Sequence, residues 1–517
     1  MALARSWSVA LVGLDGYVVE VEADLAPGIP GLSITGLPDA ALNEARDRVR
    51  AAVVNSGHAW PGKRMTLGLS PASLPKKGSG FDLALAAALL AADERVPTGG
   101  LRGLLLLGEL GLDGRVRPVA GVLPALVAAS KAGFSRAVVP AANLAEAQLL
   151  PDVTSVGVSS LRALVRLLRG EPSVDEPRDD QPVPARPGHS PEPTLIGDFE
   201  EVAGQPVGRL ACGVAAAGGH NLLMTGPPGC GKTLLAERFP GILPPLTVEE
   251  SLEVTAIHSV AGLLPSESPL ITRPPFQAPH HGATPAAIVG GGSGIAKPGA
   301  ASLAHRGTLF LDEAPEFKGG VLDALRQPLE SGRISIRRVG GTATYPARFA
   351  LLLAANPCPC ARPERACSCT PERRRGYLAR LSGPLLDRMD IQVQLPAITR
   401  SEVMAERGAG ESTADLRGRV EAARAAAAGR LAGTPWRTNA DVPPTVLSRR
   451  WPIDRRALEL VGRAMDGGLL TARGFGRVQR LAWTLADLEG HGQPTKGDVD
   501  LALGLRLGDV WSGRAAA

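Results

Sequence analysis

The chain has 517 residues, with Lys+Arg 56 against Asp+Glu 51 and a formal net charge of +5. That length predicts about three domains at roughly 100–200 residues each, and a hydrophobic share of 44% with 21% charged residues excludes a wholly disordered chain or a fibre. Six cysteines over such a length exclude a disulfide scaffold, the charge is too small to name nucleic acid as a partner, and 3% aromatics imply a core of Ala, Leu and Val.

In chain order, the apolar N-terminal stretch lacks a cleavage site and is soon interrupted by Asp15. The longest apolar run, Leu83–Ala92, lies between Asp82 and Asp93 and is about half of what a bilayer needs. It reads as a buried helix, and the chain is expected to be cytoplasmic. Strands are expected at Tyr17–Val21, Met65–Leu69 and Leu104–Leu107, and helices at Ala41–Val54, Asp82–Ala92 and Pro124–Lys131. Together they make residues 1–170 an α/β or α+β unit. Residues 171–195 read as a solvated linker, since 171–193 hold seven prolines and six acidic residues. Strands and helices alternate over 196–396, and 397–517 are helical, with segments at Asp415–Leu431, Arg455–Met465 and Val478–Glu489.

The strongest motif is Gly226-Pro227-Pro228-Gly229-Cys230-Gly231-Lys232-Thr233, a phosphate-binding loop of the G-x-x-x-x-G-K-[ST] type. Asn221–Thr225 reads as the strand before it, and Thr233–Phe239 as the helix after it, stopped at Pro240-Gly241. Glycines let backbone N–H groups curl around phosphate oxygens, and the helix N-terminus adds its positive end. Lys232 is expected on the β and γ phosphates of ATP and the Thr233 hydroxyl on Mg²⁺. Thr308–Glu313 reads as an apolar strand ending in Asp312, for the Mg²⁺ shell, and Glu313, to deprotonate the attacking water. A further strand, Phe349–Ala355, delivers Asn356 as a polar sensor of the γ-phosphate.

The spacing of these motifs resembles an AAA+ ATPase. Arg273–Gly292, Pro298–Phe317, Leu325–Gly332, Asn356–Cys360, Ser382–Asp390 and Thr471–Gly490 narrow the resemblance to the magnesium-chelatase-like YifB/ComM family. It implies an α/β fold: an AAA+ P-loop parallel sheet with a C-terminal helical lid, preceded by a Lon-protease-like α+β domain. It also implies a ring, a homo-hexamer, with ATP sites between subunits. Arg388 would then be the arginine finger, whose alternative is a salt bridge to Asp387 or Asp390. Arg473 fits the second sensor, with Arg477 as runner-up and Arg480 as a solvated face residue. The Lon likeness rests on Leu74–Asp82 and Gly111–Pro140. There the Lys base position falls on Leu123 and the Ser nucleophile on Gly80, with Ser79 one residue away. A non-proteolytic relative is expected.

Cys358, Cys360, Cys367 and Cys369 form C-x-C-x6-C-x-C. Four thiolates at that density suit a structural Zn²⁺ site, and free thiols or a redox pair are the alternatives. The His280-His281 pair reads as a hydrogen-bonded loop rather than a metal site. Residues 331–390 hold eleven arginines against four acidic residues, a local excess of +7. Arg337-Arg338 and Arg373–Arg375 could line a pore gripping DNA, and Gly290–Gly294 could be a mobile substrate loop. The resemblance implies a DNA motor for branch migration or unwinding in recombination or natural transformation. A porphyrin chelatase motor and a protein-remodelling ATPase are the alternatives.

Overall fold

The computed structural model describes residues 2–508 except 37–39, 75, 77, 173–196, 266–267, 293–295, 339–340, 363–366 and 400–409. The linker segment and the end of the Gly290–Gly294 run therefore lie largely outside the described residues.

The front part is built on β1 (Ala2–Val12), β2 (Asp15–Ala26), β3 (Gly31–Thr35), α1 (Ala40–Asn55), β4 (Arg64–Ser70), α2 (Asp82–Ala92), β5 (Leu104–Leu106), α3 (Val122–Lys131), β6 (Arg136–Pro140), β7 (Thr154–Val158) and α4 (Leu161–Arg169). Seven strands form one sheet in the order β3-β4-β2-β1-β5-β6-β7, antiparallel across β4, β2 and β1 and parallel elsewhere. The expected elements are present, and β1 is an addition. Its inner face carries Ala4, Ser6, Ser8 and Ala10, all buried, and such small or polar residues do not announce a core strand. They are small because α2, buried at every position, lies across them, close enough for the Ser6 hydroxyl to donate to the Ala84 carbonyl at 2.8 Å.

The second part contains α5 (Pro206–Gly218), β8 (Leu222–Thr225), α6 (Lys232–Ile242), α7 (Val248–Ala261), β9 (Phe276–Gln277), β10 (Thr308–Leu311), the hairpin β11 (Arg333–Arg338) and β12 (Gly341–Pro346), β13 (Ala350–Ala355), α8 (Pro371–Leu378) and β14 (Ile391–Gln394). Its five-stranded sheet, β9-β10-β13-β8-β14, is parallel throughout. Two boundaries differ from expectation. β10 stops at Leu311, leaving Asp312 and Glu313 in the following turn. α6 continues through Pro240-Gly241 to Ile242: the proline falls near the helix end, where the loss of one helix bond is tolerated, and Phe239 and Ile242 are fully buried.

The lid comprises α9 (Thr413–Arg430), α10 (Ala472–Glu489) and α11 (Lys496–Leu507), with shorter helices between them. The expected helix at Arg455 begins only at Glu459. Buried residues of α5, β8 and the lid share one core, Met224, Leu416, Val478 and Trp483 among them.

The front part also packs against the second. The buried Glu146 carboxylate accepts from the Leu123 N–H (2.8 Å), from Asn143 Nδ2 (3.0 Å) and from the Ser259 hydroxyl of α7. The Gly121 N–H donates to the Ser259 carbonyl at 3.1 Å. Beyond this, Leu14 packs on Ala343 and Tyr345 of the hairpin, and Gly13 (φ +69°) lies so close that a Cβ there would stand 3.1 Å from the Thr344 backbone.

Candidate nucleotide site

β8 is a short buried strand because Leu222, Leu223 and Met224 face apolar layers on both sides. The chain leaves it at Gly226, whose N–H donates to the Ala355 carbonyl at 3.2 Å. Only glycine fits there, since a Cβ would meet the Leu395 carbonyl oxygen at 2.6 Å. Gly229 and Gly231 are glycines for a different reason: their φ of +77° and +90° turns the loop, and little or nothing stands near their α-carbons. Pro227 and Pro228 stiffen the approach, and Cys230 is buried beneath it. Gly231 caps α6, so the loop's amides and the helix's positive end come together.

The lysine of the loop is buried. Lys232 Nζ donates to the carbonyls of Gly226 (2.8 Å) and Pro227 (2.9 Å) and to Asn356 Oδ1 (3.1 Å). The Thr233 hydroxyl donates to Asp312 Oδ2 at 2.8 Å, and the other Asp312 oxygen accepts the Glu313 N–H at 2.8 Å. Parallel strands explain the convergence: β8, β10 and β13 discharge Gly226, Asp312 and Asn356 from one edge of the sheet. Glu313 stands at φ +51°, ψ +44°, a left-handed conformation that costs a non-glycine residue about 1–2 kcal/mol. Its carboxylate lies 3.6 Å from His281 Nδ1. His280 instead accepts the Gly282 N–H at 3.1 Å, a local loop contact.

Arg388 and Arg473 are elsewhere. The Arg388 carbonyl accepts from Asn221 Nδ2 at 3.1 Å, at the opposite end of β8 from the phosphate loop. β8 has four residues, which places the two ends about 13 Å apart at about 3.3 Å per residue. Arg473 pairs with Asp387 at 3.2 Å, and Arg326, Asp387, Arg388 and Arg473 line one cleft of about 610 Å³. The local partner of Arg388 differs from both expected ones. Its guanidinium meets Glu330 and, at 2.5 Å, the Pro384 carbonyl, because Asp387 is engaged by Arg473 and Asp390 by Arg477. Asp390 is buried, which alone would raise its pKa; His220 and Arg477 nevertheless hold it well below the usual carboxylate range. Arg480 is not a solvated face residue: it is half-buried and donates to the Val442 carbonyl at 2.7 Å.

In the front part, Leu123 is buried in the core of its helix and the Ser79 hydroxyl donates to Glu109. Lys76, the buried lysine nearest to Ser79 in sequence, donates to the carbonyls of Gly36 (3.0 Å), Leu69 (3.2 Å) and Pro71. Arg333, Arg337 and Arg338 of the hairpin, and Arg373 and Arg375 of α8, are exposed. Two residues of the site were not singled out from sequence, and a third, His281, was read only as part of a hydrogen-bonded loop. Asn221 joins β8, β13 and the Arg388 turn, Glu330 faces Arg388, and His281 faces Glu313. Only His281 had a signal, in its histidine pair.

A parallel sheet in this order, with a phosphate loop, an acidic pair and a polar residue on one edge and a helical lid behind, is the AAA+ fold. The family model described as "Magnesium chelatase, subunit ChlI" matches residues 198–403, with related models described as "Subunit ChlI of Mg-chelatase" on 21–143 and "Magnesium chelatase, subunit ChlI C-terminal" on 410–506. An uncharacterized protein of Mycobacterium tuberculosis is 52% identical over 507 residues, 98% of this chain and 99% of the relative. Uncharacterized protein YifB of Escherichia coli is 41% identical over 425 residues, 82% of each chain. Competence protein ComM of Haemophilus influenzae is 38% identical over 512 residues, 98% of each chain. A Lon protease of Salinispora arenicola is 29% identical over 150 residues, 28% of this chain and 19% of the protease. The chain belongs to the YifB/ComM family of magnesium-chelatase-like proteins.

Proposed function

We propose that this protein is an ATP-hydrolysing subunit of a homo-hexameric ring that works on DNA in the cytoplasm. The observation that carries the reading is the division of the chemistry between opposite ends of β8. Lys232, Thr233, Asp312, Glu313 and Asn356 gather at one end and Arg388 with Arg473 at the other. A neighbour's Arg388 and Arg473 would complete each ATP site, so turnover would depend on assembly.

The loop residues Gly226–Gly231 suit a triphosphate, and the Thr233 hydroxyl beside the Asp312 carboxylate is the hard oxygen pair that Mg²⁺ favours. Mg²⁺ held there would neutralise phosphate charge. Lys232 would move from its carbonyl partners to the β and γ phosphates. Glu313 would take a proton from water as the water oxygen bonds to the γ-phosphorus and the bridging β–γ bond breaks, giving ADP and phosphate. Asn356, already against Lys232, would hold the γ-phosphate end. The arginine finger Arg388 and second sensor Arg473 would stabilise the charge that leaves with the ADP oxygen. For the front part we propose a non-proteolytic role, since Ser79 faces a carboxylate and Leu123 has no basic group.

The DNA assignment is supported by the exposed arginines of β11 and α8 and by likeness along nearly the whole chain to a protein named for competence. The test is ATP turnover against added single-stranded, duplex and four-way-junction DNA, with Glu313→Gln as control. Stimulation and ATP-dependent junction movement are expected. Stimulation by a porphyrin system or a folded protein, with none by any DNA, would refute the DNA assignment and leave the ATPase standing.

A further inference from the structure

Cys358, Cys360, Cys367 and Cys369 lie outside the nucleotide chemistry, yet the fold brings their sulfurs together. All four Sγ atoms are within 4.8 Å of one another, and three of the distances are 3.1, 3.4 and 3.5 Å. None is in a disulfide. A tetrahedral ion at the usual Zn–S length of about 2.3 Å would set its sulfurs about 3.8 Å apart, within the range occupied here. An iron–sulfur cluster spreads its thiolates over several irons and needs a wider frame, so a single ion fits better. Thiols alone gain little from such crowding, and ionised thiolates would repel one another unless a cation stood among them.

We propose that these four cysteines bind one structural Zn²⁺ ion, and that the resulting knuckle fixes the path between the strand carrying Asn356 and helix α8. The covalent neighbours give the ion its role. Cys358 follows Asn356 by two residues, and Cys369 precedes Thr370, whose hydroxyl caps α8 by accepting the Arg373 N–H at 3.3 Å. The Arg374 guanidinium of α8 faces Cys367 and supplies positive charge to a dianionic tetrathiolate centre. Past the buried Tyr377, Arg380 donates to the Pro315 carbonyl (3.2 Å) and to Glu316 (3.1 Å), in the turn that follows Glu313. The knuckle thus ties the exit of β13 to the exit of β10.

The assignment is tested on the full chain, purified under reducing conditions without chelator. Elemental analysis is expected to find one zinc per chain, and Cys360→Ser with Cys369→Ser is expected to lose it. Because that variant could misfold, the wild-type chain is also stripped with chelator and titrated with Co²⁺, which should give the d–d and charge-transfer bands of a tetrahedral thiolate complex at one equivalent. No zinc in the purified chain together with no thiolate bands on titration would overturn the proposal, as would stoichiometric iron or a pair of disulfides. The metal readouts require no nucleotide, so they stand apart from the ATPase reading.

Discussion

Placing Lys232 and Arg388 at opposite ends of a four-residue strand makes a prediction about mixtures rather than single variants. Arg388 cannot cross the sheet to its own phosphate loop, which lies about 13 Å away along β8. If each site is completed by a neighbour, Lys232→Ala and Arg388→Ala should each abolish turnover when homogeneous. The arginine-finger loss is expected at about 10³–10⁵-fold in kcat, or about 4–7 kcal/mol of transition-state stabilisation. Arg388→Ala should still bind a fluorescent ATP analogue with unchanged affinity. When the two variants are dissociated, mixed in equal amounts and reassembled, half of the loops and half of the fingers are intact. About one quarter of the interfaces then carry both, so turnover should return to about one quarter of wild type. The assay is steady-state phosphate release on the mixture, with each variant mixed against itself as control. No recovery from a mixture shown by mass photometry to have exchanged subunits would refute the split-site reasoning. So would normal hydrolysis by Arg388→Ala alone.

Glu313→Gln should bind ATP and fail to hydrolyse it, and Glu313→Gly should be equally inactive yet more stable than Glu313→Gln by about 1 kcal/mol, because glycine relieves the left-handed backbone; equal unfolding midpoints would contradict this. Asn221→Ala leaves the buried Leu351 N–H without its 2.9 Å acceptor and the Arg388 turn without its tether, so urea unfolding should show a loss of about 2 kcal/mol; a change below about 0.5 kcal/mol would show that the junction is not structural. The carboxylate of Glu253 is held down to about 2, against an ordinary 4.5, by its hydrogen bond from His305 and by Arg306. A depressed carboxylate stabilises the fold above its unfolded pKa and loses that contribution as pH falls through the folded one. The stability gap between wild type and Glu253→Gln should therefore narrow from pH 4.5 to 2, and a gap that stays constant across that window would exclude the linkage.

The candidate nucleotide site was legible as a cluster because its residues are adjacent in sequence or stand at strand ends. A phosphate loop is one continuous stretch, and Asp312, Glu313 and Asn356 each follow a run of apolar residues that must be a buried strand. The helix α2 was legible for the same reason, since ten apolar residues between two aspartates have one comfortable place. What escaped depends on meetings between distant segments. β1 looked unlike a core strand because its inward residues were sized to α2, some 75 residues further on. Glu330 answers Arg388 because the nearer aspartates were already held by Arg473 and Arg477, a competition that local charge counting cannot resolve. The helix α6 ran through its proline because tertiary burial of Ile242 outweighs a local stop signal.

The contact at Gly13 bears on how work would leave the ATPase part. Two backbones meet there with no side chain between them, so little can be absorbed by rotamer changes when the hairpin shifts. β1 ends at that turn after running eleven residues, about 37 Å at about 3.4 Å per residue. A tilt of about 5° at the hairpin would therefore sweep the far end of the seven-stranded sheet through about 3 Å. In the ring proposed above, the front part would then act as a lever arm, turning a small stroke beside the pore into a larger one at the periphery.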